Sequence, residues 1–258
     1  MSEARIVAVA NQKGGVGKTT TAINLGAALA EQGQRVIIID LDPQGNASTG
    51  LGVPLEERQT NAYDLLSGEQ DLAQTLQDTD INNLRIVPSN RDLASADFQF
   101  SSRPGRTQLL RRKLSQATGF DYILIDCPPA LGLLTVNAMV AADSVLVPLQ
   151  AEFYALEGLS QLLMTVREVR QAANPDLRIE GILLTMSDSR NNLSQQVEAD
   201  ARSTLSGLVY KTVIPRNVRL SEAPSHAMPV LQYDPHSKGS AAYRELAKEF
   251  LSRQLATA

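Results

Sequence analysis

The segment that most constrains the fold is a glycine-rich stretch near the start of the chain, residues 10–21, which reads Ala-Asn-Gln-Lys-Gly-Gly-Val-Gly-Lys-Thr-Thr-Thr. It follows a short apolar run, residues 6–10, and precedes apolar residues at helical spacing, so we predict a strand, a tight turn and a helix. Gly14, Gly15 and Gly17 allow positive φ angles and close approach of the backbone, so that successive N–H groups can surround phosphate oxygens. The N-terminus of the helix adds positive potential. The pattern predicts a phosphate-binding turn, and the alternative is a glycine-rich turn with incidental lysines.

Two side chains at the end of this turn have the chemistry that a phosphorylated nucleotide requires. We expect Lys18 to reach the β- and γ-phosphates and the hydroxyl of Thr19 to bind Mg²⁺, because the nucleotide needs both charge neutralisation and a metal ion. The common form of the motif has a glycine five residues before Gly17, where this chain has Gln12. A second lysine, Lys13, opens the turn instead.

This arrangement, Lys-Gly-Gly-Val-Gly-Lys-Thr, resembles the deviant Walker A motif of the ParA/MinD family of ATPases. The resemblance implies that Lys13 reaches across a dimer interface to the nucleotide of the partner. A second cation there would stabilise the charge of the transferring phosphoryl group, so Lys13 and Lys18 are both expected to be catalytic. Catalysis would then depend on dimerisation. The residues of the turn that we expect to bind the nucleotide are Lys13, Gly14, Gly15, Val16, Gly17, Lys18, Thr19 and Thr20.

Two aspartates follow the second predicted strand, residues 35–40, in the segment Asp-Leu-Asp-Pro-Gln-Gly-Asn. The carboxyl ends of the strands are where an open α/β sheet binds its ligand. In the resembling family the second aspartate of this motif orients the attacking water, which implies that catalytic role for Asp42. We expect Asp40 to support the metal ion or its water shell. Either residue could instead be an ordinary acid in a turn after a strand.

A further aspartate, Asp126, ends the apolar run of residues 122–126, which is the Walker B arrangement. We therefore expect Asp126 to hold Mg²⁺ directly or through a water molecule. Residues 127–132 match the second switch segment of the family, where the γ-phosphate could be sensed. Cys127 is the single cysteine and excludes an intramolecular disulfide. We interpret it as a buried packing residue, with a reactive thiol as the alternative.

The remaining pattern predicts a doubly wound, mainly parallel α/β sheet flanked by helices, because near-continuous apolar strands alternate with helical segments. Residues 1–258 are expected to form a single P-loop ATPase domain, a size at which burying a substantial core is feasible. The other predicted strands are residues 84–88, 144–149, 179–185 and 209–214, and the other main helices are residues 106–117, 156–172 and 241–255.

The segment from Pro215 to His226 resembles the chromosomal ParA/Soj branch of this family in particular. Because the start of this segment flanks adenine in that branch, the resemblance implies base contacts from Pro215 and Asn217. It also implies nonspecific DNA contacts from Arg190 and Arg219. Arg216, in the same segment as Arg219, is a further candidate for DNA contact, although its neighbours Pro215 and Asn217 are assigned to the nucleotide. The net charge of −4 means that any DNA-binding surface must be a local patch, and these side chains could instead be ordinary solvated arginines.

The resemblance implies a Mg²⁺-dependent ATPase that segregates a chromosome or plasmid. An ATP-bound homodimer would bind nonspecific double-stranded DNA and be released when a DNA-bound ParB-type adaptor stimulates hydrolysis. We expect a cytoplasmic, nucleoid-associated protein without membrane binding, although related ATPases position other cargoes.

Two alternatives come from other classes of protein. One is a membrane-bound division-site regulator of the MinD kind, and the other is a metabolic P-loop enzyme that phosphorylates a small substrate. Residues 251–258 lack the basic amphipathic character of a membrane-targeting helix, since Arg253 is their one cation. For the metabolic enzyme, the sequence offers no recognisable set of residues for an acceptor pocket.

Overall fold

A seven-stranded sheet runs through the centre of the protein. The computed structural model describes residues 4–115, 117–152, 155–188, 190–205 and 207–255. The strands are β1 (Arg5–Val9), β2 (Val36–Asp40), β3 (Gln77–Asp78), β4 (Leu84–Val87), β5 (Tyr122–Asp126), β6 (Ser144–Gln150) and β7 (Arg178–Thr185). Their order in the sheet is β3-β4-β2-β5-β1-β6-β7. The short edge strand β3 is antiparallel to β4, and the other pairings are parallel. The predicted mainly parallel sheet is confirmed.

Helices cover both faces of this sheet. Ile37 and Ile39 of β2 belong to one apolar cluster, whereas Val36 and Ile38 belong to the other, because successive side chains of a strand point to opposite faces. The helices are α1 (Lys18–Glu31), α2 (Asn46–Gly50), α3 (Ala62–Ser67), α4 (Leu72–Thr75), α5 (Ala96–Gln99), α6 (Leu109–Leu114), α7 (Leu133–Ala141), α8 (Ala155–Ala172), α9 (Asn192–Thr204), α10 (Val218–Glu222), α11 (Val230–Tyr233) and α12 (Lys238–Leu255). Burial on both sides explains why the central strands are almost uninterruptedly apolar.

The strand predicted at residues 209–214 is wrong. This segment runs beside β7 but contributes only isolated bridges, at Val209 and Pro215. Its backbone bonds to β7 only near its two ends, where the amides of residues 210 and 214 donate to Ile182 and Leu184. Between these bonds the partners are side chains: Arg202 donates to the carbonyl oxygens of residues 210 and 211, and Glu249 accepts from the amides of residues 211 and 212. The apolar composition reflects burial of the segment, not membership of the sheet.

The closing helix α12 begins earlier than predicted, at Lys238, and packs on the same face of the sheet as α1. Leu246 and Phe250 are fully buried, as the apolar face predicts. Among the described residues, no helix combines the length and the apolar character needed to span a membrane.

Candidate active site

The glycine-rich turn joins the end of β1 to the start of α1. Gly15 and Gly17 have φ angles of 74° and 89°, in the left-handed region that other residues rarely adopt. Gly17 is the N-cap of α1, and no side chain caps that end of the helix. The first amides of the helix are therefore left available for an anion, as the sequence predicts.

Hydrogen bonds from neighbouring strands hold the turn in place. The side chain of Asn11 accepts from the amide of Lys13 at 3.0 Å and donates to the carbonyl oxygen of Pro148, at 2.7 Å, in β6. The hydroxyl of Thr185, at the end of β7, donates to the carbonyl oxygen of Val16 at 2.9 Å. The turn is thus held by hydrogen bonds to β6 and β7.

The turn borders two connected clefts at the carboxyl ends of the strands. The first, of about 270 Å³, is lined by Gly14, Gly15, Gly17, Lys18, Thr19, Thr20, Asp42, Gln44, Asn46, Pro129 and Met186. The second, of about 460 Å³, shares Gly17, Thr20 and Met186 with it and extends to Pro215 and Asn217. A groove therefore leads from the glycine turn to the two residues expected to contact a base.

Lys18 lines the first cleft and is only 7% exposed. Its ammonium donates to the carbonyl oxygen of Lys13 at 3.2 Å. Burial lowers the pKa of Lys18, and the nearby Asp126, Cys127 and Asp42 oppose this shift. A cation held in a buried position beside free helix amides suits phosphate binding.

Asp126 ends β5 and is fully buried, and neither of its carboxylate oxygens has a hydrogen-bond partner among the described residues. Burial raises its pKa well above the usual range, and repulsion from Asp40 adds to this. The hydroxyl of Thr19 is near enough to oppose the shift, although it makes no hydrogen bond of normal geometry. A buried carboxylate without a partner is costly unless a cation is close. Asp126 and Thr19 therefore fit a Mg²⁺ ion.

The protein alone supplies few ligands for such an ion. Within the described parts of the chain, no group of three or more His, Cys, Asp or Glu side chains could hold a metal. Mg²⁺ usually binds through one or two protein oxygens, with phosphates and water completing its coordination. The arrangement fits a metal that enters together with a nucleotide.

Asp40, the last residue of β2, and Asp42, two residues later, differ in their surroundings. Asp42 lines the cleft, and its Oδ1 accepts from the amide of Gln44 at 2.9 Å. Asp40 is fully buried and accepts from the amide and hydroxyl of Ser48, at 2.8 and 2.7 Å, and from the amide of Asp42. Burial raises the pKa of Asp40 to about 6, against these hydrogen bonds. Asp40 supports the loop that carries Asp42, and its role at the metal stays a prediction.

Lys13 does not line either cleft and lies at their exposed rim. Its ammonium pairs with Glu152 at 2.6 Å, and the two side chains are 41% and 49% exposed. An ion pair this exposed contributes little to stability, so the ammonium can exchange Glu152 for another anion at low cost. The predicted contact of Lys13 with a partner's nucleotide stays a prediction.

Pro215 and Asn217 both line the second cleft. The side-chain oxygen of Asn217 accepts from the amide of Arg219 at 2.8 Å and so caps α10. The NH₂ group of Asn217 and the second lone pair of its oxygen are the parts of the side chain that could contact a base. Arg216 lines the same cleft, next to the two expected base contacts, although it is also a candidate for DNA contact.

The segments that carry the three arginines lie side by side. The amide of Ser187 donates to Ile214, and the amide of Arg216 donates back to Ser187 at 2.9 Å. The charge of Arg216 also contributes to lowering the pKa of Asp188, which confirms their proximity. The chain segments that carry Arg190 and Arg216 are therefore neighbours at Ser187, and their contact with DNA stays a prediction.

Arg190 and Arg219 are exposed and paired with carboxylates of the same chain. Arg190 donates from Nε and Nη2 to Asp188, both at 3.1 Å, and its hydrogen bonds lower the pKa of Asp188 to about 2. Arg219 pairs with Glu222 at 2.7 Å and with Asp234 at 3.2 Å. A phosphate would have to compete with these carboxylates for the guanidinium groups.

Some residues of the clefts were not predicted from the sequence. They include Gln44, Asn46, Thr185 and Met186. Each of these residues is the last residue of a parallel strand or follows such a strand. Because ligands bind at the carboxyl ends of the strands, this position in the sequence could have predicted them. Met186 has a φ angle of 52°, rare for a residue with a side chain, at the point where the two clefts meet.

Cys127, the single cysteine, is buried as expected, and burial raises the pKa of its thiol.

Comparison with known proteins identifies close relatives over almost the whole chain. A family model described as an AAA domain matches residues 4–179. The chain is 53% identical over 253 residues to the chromosome partitioning protein ParA of Caulobacter vibrioides, with 97% of this chain and 95% of that protein covered. It is 52% identical over 246 residues to the sporulation initiation inhibitor protein Soj of Bacillus subtilis, with 95% and 97% covered.

Among solved structures, the chain is similar to one described as cobyrinic acid a,c-diamide synthase of Mycobacterium smegmatis. The identity is 40% and the TM-score is 0.86, with 99% of this chain and 97% of that chain covered. That protein was crystallised with an ATP analogue and magnesium, and also with ADP and magnesium. These are the ligands that the sequence predicts for the present chain.

Proposed function

Because the chain belongs to the ParA/Soj family of chromosome-partitioning ATPases, we propose that it is a Mg²⁺-dependent ATP hydrolase whose ATP-bound homodimer binds DNA of any sequence. The observation that carries the proposal is the groove at the carboxyl ends of the strands, where buried Lys18 and Asp42 line the cleft at the open N-terminus of α1. Asp126, which has no hydrogen-bond partner among the described residues, is buried near Lys18. A phosphate chain is the ligand that this set of charges and amides fits best.

In the proposed reaction, water attacks the γ-phosphorus of ATP, the bond from that phosphorus to the bridging oxygen breaks, and ADP and phosphate leave. Lys18 and the amides at the start of α1 bind the phosphate oxygens. Asp42 accepts a hydrogen bond from the attacking water and orients it. Magnesium, held by Thr19 and Asp126, would neutralise phosphate charge. Asp40 acts indirectly, by bonding the amide of Asp42.

Dimerisation would complete the site through Lys13. Its position at the rim and its exchangeable pair with Glu152 allow the ammonium to reach outward to a second protomer. There it would add a positive charge at the γ-phosphate, where charge develops during transfer. Hydrolysis would therefore require two protomers, each with ATP.

We expect Gly14→Val to bind ATP but not to dimerise. Gly14 is exposed, its φ is not positive, and a Cβ there would meet no atom of the described residues within 4 Å. A side chain at this position is thus tolerated by the protomer and would interfere only with a second copy. Light scattering with ATP should detect monomers at wild-type ATP affinity. A normal ATP-dependent dimer would contradict this interface.

The DNA surface that we propose consists of Arg190, Arg216 and Arg219, doubled by dimerisation. Their chain segments are hydrogen-bonded neighbours, and all three residues are exposed. DNA phosphates offer a high local density of negative charge, which allows them to replace the carboxylates that now pair with Arg190 and Arg219. Phosphate contacts carry no information about base sequence, so binding should be nonspecific.

We expect Arg190→Ala and Arg219→Ala to weaken DNA binding on any sequence while ATP-dependent dimerisation persists. Each lost phosphate contact should flatten the slope of log affinity against log salt by about one per subunit. A salt titration of duplex binding measures this, and Arg85→Ala is the matched control. Arg85 is also an exposed arginine with a carboxylate partner, Asp78, but lies on β4. If the Arg190 and Arg219 variants bind DNA as tightly as wild type, this surface is wrong.

The proposed function also requires a partner protein that triggers hydrolysis on DNA. A DNA-bound ParB-type adaptor would stimulate hydrolysis and release the dimer, and the protein would act on the nucleoid in the cytoplasm as a single ATPase domain. The test is an ATPase assay with duplex DNA and the ParB-like protein encoded nearest to this gene. Stimulation by both together is expected. If ATP is instead converted to ADP only when a small acceptor molecule is present, and the phosphoryl group is transferred to that acceptor, the alternative of a metabolic P-loop enzyme is correct.

A further inference from the structure

The loop that carries Asp42, residues 41–45, is held from behind by a buried arginine. Arg58 follows the 3₁₀ turn Leu55–Glu57 and is 6% exposed. It donates from Nη1 to the carbonyl oxygens of Gly45 and Ser89, at 3.2 and 3.3 Å. Its Nε and Nη2 donate to the carbonyl oxygen of residue 53, and Nη2 donates also to the hydroxyl of residue 49. All three nitrogens of the guanidinium are thus bonded to protein oxygens.

The two carbonyl groups bound by Nη1 belong to the residues that fix the peptide of Asp42. The amide of Gly45 donates to the carbonyl oxygen of Asp42 at 2.9 Å. The hydroxyl of Ser89 donates to the same oxygen at 2.5 Å. Arg58 therefore binds the two residues, Gly45 and Ser89, that donate hydrogen bonds to this carbonyl group.

Gly45 and Arg58 also fit closely in space. Gly45 has a φ angle of 66°, and a Cβ built on it would overlap the guanidinium. The arginine fills the space that a side chain at position 45 would need. This packing leaves the loop little freedom to move toward Arg58.

A second set of bonds fixes the other side of the loop. The hydroxyl of Ser48 accepts from the amide of Ser89 at 2.9 Å and donates to Asp40 at 2.7 Å. Asp40 in turn accepts from the amide of Asp42 at 3.2 Å. The amide and the carbonyl group of Asp42 are both bonded, so its side chain projects from a fixed peptide into the cleft.

We propose that Arg58, acting through Gly45 and Ser89, is a positioning residue for ATP hydrolysis that holds Asp42 in place for the attacking water. The proposal rests on the proposed role of Asp42. A buried guanidinium is costly to desolvate and an apolar side chain could fill the same volume, so its hydrogen bonds to Gly45 and Ser89 need a reason beyond packing. Fixed geometry supplies one, because small misplacements of a catalytic group lower rates strongly.

The test is Arg58→Met, which keeps the length of the side chain but removes its donors. We expect kcat for ATP hydrolysis to fall by about 10- to 100-fold. The affinity for ATP should remain close to that of wild type, because Arg58 lines neither nucleotide cleft. Arg58→Lys should restore part of the lost rate, since an ammonium can bond only some of the same oxygens. All assays are run below the unfolding transition of each variant.

Arg5→Met is the matched structural control. Arg5 is a partly buried arginine paired with buried Glu180 at 3.1 Å, and it lies at the amino ends of the strands, away from the clefts. Its loss should lower the stability to denaturant without lowering kcat. If Arg5→Met loses as much kcat as Arg58→Met, the effect is general destabilisation and the inference is overturned.

A double-mutant cycle with Asp42→Ala separates positioning from other effects. If Arg58 acts through Asp42, Arg58→Met should lower kcat in the wild-type background and change little in the Asp42→Ala background. An equal fall in both backgrounds, or an unchanged kcat for Arg58→Met, would overturn the inference. If Asp42→Ala alone hydrolyses ATP at the wild-type rate, the proposed role of Asp42 itself fails.

Ser89→Ala is a second variant, which tests the same inference if Arg58→Met does not fold. It removes the hydroxyl that donates to the carbonyl oxygen of Asp42 and leaves the buried guanidinium in place. A smaller fall in kcat, with ATP affinity retained, is expected. An unchanged kcat for Ser89→Ala would then overturn the inference.

Discussion

Lys18→Ala is expected to abolish ATP binding. The ammonium of Lys18 is the buried cation of the phosphate cleft, and it lies beside the open N-terminus of α1. Truncating one partner of a buried, hydrogen-bonded charge pair costs about 2–5 kcal/mol, much of it from leaving the other charge unpaired. Affinity for ATP should therefore fall by about 30-fold or more. Isothermal titration of the nucleotide-free protein with Mg-ATP measures the loss.

Lys13→Ala is the control for this prediction, because it removes a lysine from the same turn. Lys13 is exposed and lines neither cleft. Its variant should keep the ATP affinity of a single protomer while losing hydrolysis. If Lys18→Ala keeps ATP affinity within a few-fold of wild type, the assigned role of Lys18 is wrong.

Asp42→Ala is expected to bind ATP normally and to stall hydrolysis, so that the ATP-bound dimer accumulates. A carboxylate that orients water acts in the transition state and contributes little to ground-state binding. Loss of a group that handles the attacking nucleophile typically lowers rates by about 10²- to 10⁴-fold. Single-turnover hydrolysis, together with size-exclusion chromatography in Mg-ATP, measures both effects.

Asp78→Ala provides the comparison for Asp42→Ala. Asp78 is an exposed aspartate on the edge strand β3, paired with Arg85, and it should keep full activity when replaced. A monomeric Asp42→Ala protein in ATP, or one with unchanged hydrolysis, would contradict the role of Asp42.

The glycine turn and the three aspartates could be located from the sequence because each depends on local pattern. A glycine run between an apolar strand and a helix fixes Lys18 and Thr19 at the helix start. Asp42 and Asp126 follow apolar strands, and parallel strands bring their carboxyl ends to one edge of the sheet. The structure places Lys18, Thr19 and Asp42 in one cleft, with Asp126 buried near Lys18 and Thr19.

Other features depend on contacts between residues far apart in the chain, and local pattern does not reveal them. The partner of Lys13 is Glu152, and the surroundings of Arg58 include Ser89. The segment at residues 209–214 has the composition of a strand, yet the two amides at its centre, of residues 211 and 212, bond to Glu249 of the closing helix. Apolar composition indicated burial correctly, whereas the bonding partners of the backbone required the folded structure.

The central claim is that ATP binding creates a dimer that binds DNA without sequence preference. The most direct test is fluorescence anisotropy of a labelled duplex of arbitrary sequence, titrated with the Asp42→Ala protein in Mg-ATP and, separately, in Mg-ADP. We predict salt-sensitive binding in ATP, equal on unrelated duplexes, and much weaker binding in ADP. Equal binding in the two nucleotides, or no binding in ATP under conditions where the dimer is present, would contradict the account.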